Sequence, residues 1–207
     1  GVSPGVVLPV GLAVTAGGFQ EDIGNLDQRV RDLFVRGDVT LPVSRTLALV
    51  AGAGYEDVEI SSRDAVRDVI VSGDAGNNTI EGRGGHDTLF GGGGGDFFIG
   101  GFGNDTYETD GDDLLVETYD AGTDTVVSSV SYVLTQFFEN LTLTGVLDLN
   151  ATGNALANML IGNSGANVLT GGNGNDTYVI DASDTVVEAA NGGTDTVRAS
   201  FSYVLGA

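Results

Sequence analysis

From Gly73 to Glu108 the sequence repeats itself every nine residues, four times without a gap: GDAGNNTIE, GRGGHDTLF, GGGGGDFFI and GGFGNDTYE. The fourth place is always glycine (Gly76, Gly85, Gly94, Gly103). The sixth is Asn78, Asp87, Asp96 or Asp105, and the eighth is Ile80, Leu89, Phe98 or Tyr107. A unit with one apolar residue cannot bury a core alone, so a fixed short period of this kind predicts a solenoid in which neighbours stack. The glycines permit tight turns with positive φ. The three residues after the acid or amide predict a short strand whose middle side chain points inward. The period lapses after Glu108 and returns with GNALANMLI, GNSGANVLT and GGNGNDTYV from Gly153, which place Asn158, Asn167 and Asp176 sixth and Leu160, Leu169 and Tyr178 eighth.

A longer repeat contains the shorter one. The stretch from Gly100 to Leu134 matches that from Gly171 to Leu205 at a constant offset of 71, without a gap. Asp105 corresponds to Asp176, Asp113 to Asp184, Glu117 to Glu188, Asp124 to Asp195 and Tyr132 to Tyr203, which points to duplication. The second copy stops at Ala207, where the first continues through Phe137–Thr144, so the chain is expected to be cut short at its C-terminus. Between the arrays, Leu114–Val116, Thr125–Val127, Tyr132–Leu134 and Leu141–Leu143 are expected as further strands.

Ahead of the arrays, Leu33 to Tyr55 alternates apolar and polar residues in two runs around a turn near Pro42–Arg45, which predicts a long β-hairpin. It is similar to a strand pair of bacterial outer-membrane β-barrels in length and alternation. Two strands cannot close a barrel, so it is expected to cap the solenoid, with Leu47, Leu49 and Ala51 facing the first array. The apolar stretch Val6 to Val14 is too short to span a membrane as a helix and lacks the basic leader of a signal peptide. The expected divisions are an N-terminal hairpin region (1–63), a first array (64–108), an irregular β connector (109–152), a second array (153–180) and a partial copy of the connector (181–207).

Net charge is -21, and its distribution is uneven. There is no lysine, and seven of the eight arginines lie at or before Arg83; from Gly84 onward seventeen acids face Arg198 alone. Such a surface repels nucleic acid and anionic membranes and attracts cations. There is no cysteine and one histidine, His86, in a glycine turn, so thiolate and zinc clusters are not expected. No nucleophile elbow, zincin motif or lysine-bearing phosphate loop occurs, and no enzymatic activity is expected of this chain. The equivalent tyrosines Tyr107, Tyr132, Tyr178 and Tyr203 read as core or rim side chains.

The nonapeptides resemble the calcium-binding repeat of the repeats-in-toxin (RTX) family, G-G-x-G-x-D-x-U-x, over roughly residues 64–207. The resemblance implies an all-β fold: a right-handed parallel β-roll in two short arrays, with two nonapeptides per coil and Ca2+ between stacked turns. Turns eighteen residues apart would then share an edge, pairing Asp87 with Asp105, Asn78 with Asp96 and Asn158 with Asp176. The glycines Gly85, Gly94, Gly103 and Gly174 would leave carbonyl oxygens uncovered beside them. Calcium suits such sites because it accepts 6–8 oxygens in flexible geometry. Asp87/Asp105, with two full charges, is expected to be the strongest site. Asn167 meets Thr185 eighteen residues later and is expected to lack one, while Asp112 or Asp113 is a candidate beneath Asp96. The family further implies a secreted or cell-surface bacterial protein whose calcium-dependent order is its function. Rival expectations are a self-associating adhesin or surface-layer module, and an accessory module of an extracellular enzyme.

Overall fold

The computed structural model describes residues 47–50, 59–61, 68–119, 122–190 and 192–203. The first arm and turn of the expected hairpin, and the apolar stretch 6–14, lie outside the described residues.

Strands are short because turns interrupt them every few residues, and in the nonapeptide arrays those turns are rich in glycine or asparagine. In chain order they begin with β1 (Leu47–Val50), β2 (Glu59–Ser61), β3 (Val69–Ser72), β4 (Thr79–Gly84), β5 (Thr88–Phe90) and β6 (Phe97–Phe102). Next come β7 (Thr106–Thr109), β8 (Leu114–Val116), β9 (Thr125–Ser128), β10 (Tyr132–Val133), β11 (Asn140–Leu143) and β12 (Asn150–Thr152). The last are β13 (Met159–Ile161), β14 (Val168–Thr170), β15 (Thr177–Ile180), β16 (Thr185–Val187) and β17 (Thr196–Ala199).

Odd-numbered strands form one nine-stranded parallel sheet running from β1 to β17. Even-numbered strands form the opposite face in two pieces, β2-β4-β6-β8 and β10-β12-β14-β16. Successive nonapeptides therefore alternate between faces, and two of them make one coil. Leu89 pairs with Tyr107 and Ile80 with Phe98, each eighteen residues apart, as the period requires. The eighth-place side chains Ile80, Leu89, Phe98, Tyr107, Leu160, Leu169 and Tyr178 are all 0 % exposed. They fill the space between the faces, and each such burial is worth roughly 1.5–3 kcal/mol.

Residues 109–152 have no nine-residue period, yet β7, β9, β11 and β13 pair in order within the nine-stranded sheet. The opposite face is the one that breaks, between β8 and β10. Phe138 fills the interior near this break, with its ring centroid 5.3 Å from that of Tyr107, edge to face; Tyr107 packs in the same way on Phe98 at 6.0 Å. The solenoid also starts earlier than the nonapeptides do. β1, the described part of the hairpin's second arm, joins the long sheet by parallel main-chain pairing with β3.

Candidate metal centre

Each sixth-place residue sits where a glycine turn enters a strand, and its side chain folds under the turn. Asn78, Asp87, Asp96, Asp105, Asn158, Asn167 and Asp176 are buried, although four of them are carboxylates. The reason is a hydrogen bond that reaches one coil back. Asp87 Oδ1 accepts the Val69 N–H at 2.8 Å, and Asp105 Oδ1 accepts that of Asp87 at 2.8 Å. On the opposite face Asp96 Oδ1 accepts the Asn78 N–H at 2.8 Å, and in the second array Asp176 Oδ1 accepts that of Asn158 at 2.7 Å. The structure thus links each of the three expected pairs through a main-chain N–H and the carboxylate one coil below it.

The second carboxylate oxygen has a different situation. Oδ2 of Asp87, Asp96, Asp105 and Asp176 is buried and has no hydrogen-bond partner. Leaving an ionised oxygen in that state is costly. Burial accordingly pushes the Asp87 and Asp96 carboxyls up to about 6, helped by the neighbouring charges of Asp105 and Asp113 and opposed by the N–H bonds. Burial raises Asp105 and Asp176 too. These oxygens lie beneath the first glycine of their own unit: a β-carbon at Gly82, Gly91, Gly100 or Gly171 would overlap Oδ2 of Asp87, Asp96, Asp105 or Asp176. At Gly82 that β-carbon would also lie 2.8 Å from the carbonyl oxygen of Gly100, one coil on. Unpartnered carboxylate oxygens beside turn carbonyls, with no nitrogen or sulfur donor, make a donor set for a hard cation such as calcium.

The fourth-place glycines have a distinct task. Gly85, Gly94, Gly103 and Gly174 have φ of 116°, 101°, 125° and 116°, conformations that L side chains rarely adopt. A β-carbon at Gly103 would overlap the carbonyl oxygen of Gly85, and one at Gly174 that of Leu156. These glycines let successive turns approach until their carbonyls stack.

The asparagine units close differently. Asn158 Nδ2 donates to the carbonyls of Phe138 (3.1 Å) and Glu139 (3.2 Å), and Asn167 Nδ2 to that of Leu149 (3.0 Å). Their Oδ1 atoms accept N–H groups within their own turns, from Asn154 at 2.7 Å and Asn163 at 2.8 Å; Asn78 Oδ1 does the same with Asp74 at 2.8 Å.

Further carboxylates continue these ladders, most of them missed by eighteen-residue counting. Of the two candidates beneath Asp96, it is Asp113 whose Oδ1 accepts the Asp96 N–H, at 2.9 Å. Asp124 Oδ1 accepts from Asp105 at 2.8 Å, Glu139 Oε2 from Asp124 at 2.8 Å, and Asp195 Oδ1 from Asp176 at 2.9 Å. The expectation that Asn167 has only Thr185 beneath it is corrected. The coil there is one residue shorter, Val168 pairs with Thr185, and Asp184 Oδ1 accepts the Asn167 N–H at 3.0 Å. The signal was present in the offset-71 duplication, which aligns Asp113 with Asp184 and Asp124 with Asp195. His86 is exposed and serves the turn ladder, its N–H donating to Asp68 Oδ1 (2.7 Å) and its Nδ1 accepting from Asn104 N–H (2.8 Å).

Comparison with known proteins agrees with this geometry. Searches of curated proteins and of solved structures return no match to this chain. Residues 72–107 and 152–182 match the family model of the RTX calcium-binding nonapeptide repeat, in 4 copies. Over those segments the chain carries RTX calcium-binding nonapeptide repeats.

Proposed function

We propose that this chain is a calcium-stabilised β-roll module of a secreted or surface-exposed bacterial protein, with a structural rather than catalytic role. The observation that carries the reading is the set of four buried, unpartnered Oδ2 atoms on Asp87, Asp96, Asp105 and Asp176, each under a glycine turn. A polypeptide that buries carboxylates without cationic partners is in balance only when something else supplies the positive charge. Asp87, Asp96, Asp105 and Asp176, with the turn carbonyls beside them, would hold the ion; Asn78 and Asn158 pair with them across coils. Bound calcium supplies positive charge and 6–8 coordination positions to these oxygens. An ion that binds only the folded form stabilises it by about 2.7 kcal/mol at a hundredfold excess over Kd.

The metal-free chain, rich in glycine and negative charge, is then expected to lack most of its β-structure and to gain it on calcium addition. Magnesium is a poor substitute because it demands octahedral geometry at shorter distances. Circular dichroism of the full chain in chelator, then in calcium or magnesium, tests this. A cooperatively melting β spectrum that persists unchanged in chelator would overturn it.

A further inference from the structure

Two groups of carboxylates converge where the nonapeptide pattern stops. Asp105 precedes β7, Glu117 follows β8 and Asp124 precedes β9; their oxygens all lie within 4.8 Å of one another. All three side chains are buried, Asp105 and Asp124 at 1 % exposure and Glu117 at 7 %. One oxygen each on Asp105 and Asp124 is occupied by a main-chain N–H, from Asp87 and Asp105. The Tyr107 hydroxyl, buried on β7, donates to Glu117 Oε1. Asp105 Oδ2 has no partner and is aimed into the group: it, Glu117 Oε1 and the Tyr107 hydroxyl crowd the same point above Gly100. Among the described residues the one ion pair is Arg83 with Glu81, so these acids have no described arginine as a partner.

The arrangement recurs 71 residues later. Asp176, Glu188 and Asp195 bring their oxygens within 4.8 Å of one another, here with Asp176 alone buried, and the Tyr178 hydroxyl donates to Glu188 Oε1. Asp176 Oδ2 is again buried and unpartnered beside Gly171. The intervening residues differ, ETDGDDLLV against VIDASDTVV, whereas the aspartates, tyrosine and glutamate are shared. Two diverged copies have kept the same four oxygen-bearing side chains.

Resting on the calcium reading above, we propose that Asp105–Glu117–Asp124 and Asp176–Glu188–Asp195 are two cation sites in which the last aspartate of each array is completed by a glutamate and an aspartate from outside the nonapeptides, and that they take calcium or another oxygen-seeking ion of similar radius. Each closes an array at the point where no further nonapeptide supplies a turn. Bonds of 2.3–2.6 Å let one ion bridge oxygens separated by up to about 5 Å, which magnesium at 2.0–2.1 Å cannot do. Tyr107 and Tyr178 act as positioning residues that hold the glutamates toward the aspartates.

The test uses the full chain, stripped of metal and titrated with calcium by calorimetry and with terbium by emission excited through tyrosine. The chain has no tryptophan, so a tyrosine touching the ion is the effective antenna. A double variant, Glu117→Gln with Glu188→Gln, keeps size and hydrogen-bonding ability. It is expected to bind two fewer calcium ions per chain and to lose terbium emission several-fold, while calcium still induces β-structure. Unchanged stoichiometry and emission would overturn the two sites and leave the nonapeptide reading standing. Absence of calcium-induced β-structure in the unaltered chain would overturn both. Should the double variant fail to fold, Tyr107→Phe with Tyr178→Phe retains every carboxylate. That pair is expected to lose most of the sensitised emission while the bound calcium count stays the same, and undiminished emission would overturn the proposal.

Discussion

At the sixth place of each unit, aspartate and asparagine solve the same steric problem with different chemistry. Both fit beneath the turn, but only asparagine brings an N–H that can reach the carbonyls beside it, as Asn158 does with Phe138 and Glu139. Aspartate leaves Oδ2 without a donor and calls for an ion. Asparagine rungs are thus self-sufficient, and aspartate rungs are conditional on metal. Exchanging the two should change how many ions folding takes up. Asp87→Asn is expected to lower the steepness of the calcium-induced transition by about one ion, and Asn158→Asp to raise it by about one. At low calcium Asn158→Asp should also cost about 1–3 kcal/mol, the usual penalty of a buried group left unsatisfied. Calcium titrations followed by circular dichroism check both, and equal steepness in the two variants would contradict this division of labour.

Among the elements, turns set the spacing and strands only inherit it. Coil length along the nine-stranded sheet is eighteen residues from Thr88 to Thr106, nineteen from Thr106 to Thr125, fifteen from Thr125 to Asn140 and nineteen from Asn140 to Met159. Parallel pairing survives these changes because extra or missing residues are absorbed in the corners. The fourth-place glycines sit in those corners and are sensitive positions for that reason. For Gly103→Ala, the positive φ alone costs about 1–2 kcal/mol, and overlap with the Gly85 carbonyl adds to it. In a chain of this size about 2–4 °C is lost per kcal/mol, so a fall of several degrees in the melting temperature of the calcium form is expected; an unchanged melting curve would count against the stacked turns. The same variation explains what could be read beforehand. Where coils hold to eighteen, the inward residues, the coil pairing and the carboxylates Asp87, Asp96, Asp105 and Asp176 were all legible from the period. Where they shift to seventeen or nineteen, counting put Thr185 under Asn167 and passed over Asp124 and Asp195. Glu117 and Glu188 were visible as a duplicated pair, but their convergence with the aspartates depends on a loop path that no short period encodes.

For the whole molecule, buried acids make stability respond to pH in the reverse of the usual sense. Asp87 and Asp96 are pushed up to about 6 and Glu117 and Asp124 up to about 7, chiefly by burial, whereas in an unfolded chain such groups titrate near about 4. The folded metal-free form therefore holds more protons between these values. The stability that these protonated groups contribute is fully present below about pH 4 and is lost as pH rises through about 6 to 7. Metal-free protein should accordingly show more β-structure at pH 5 than at pH 7.5. The calcium concentration needed for folding should rise as pH falls, because protons compete for the same oxygens. Circular dichroism at the two pH values, without metal and across a calcium series, measures both; metal-free stability that climbs with pH through this window would refute the assignment. A last consequence concerns direction along the chain. In the sixth-place ladder the N–H belongs to the earlier coil and the carboxylate to the later one: Val69 to Asp87, Asp87 to Asp105, Asp105 to Asp124, Asn158 to Asp176 and Asp176 to Asp195. The two ends are therefore not interchangeable. Within this carboxylate ladder, a coil trimmed from the front takes away a donor from a carboxylate that can turn to water or metal. A coil trimmed from the rear strips the acceptor from a buried main-chain group that has no such choice, so each coil is underwritten by the one that follows it.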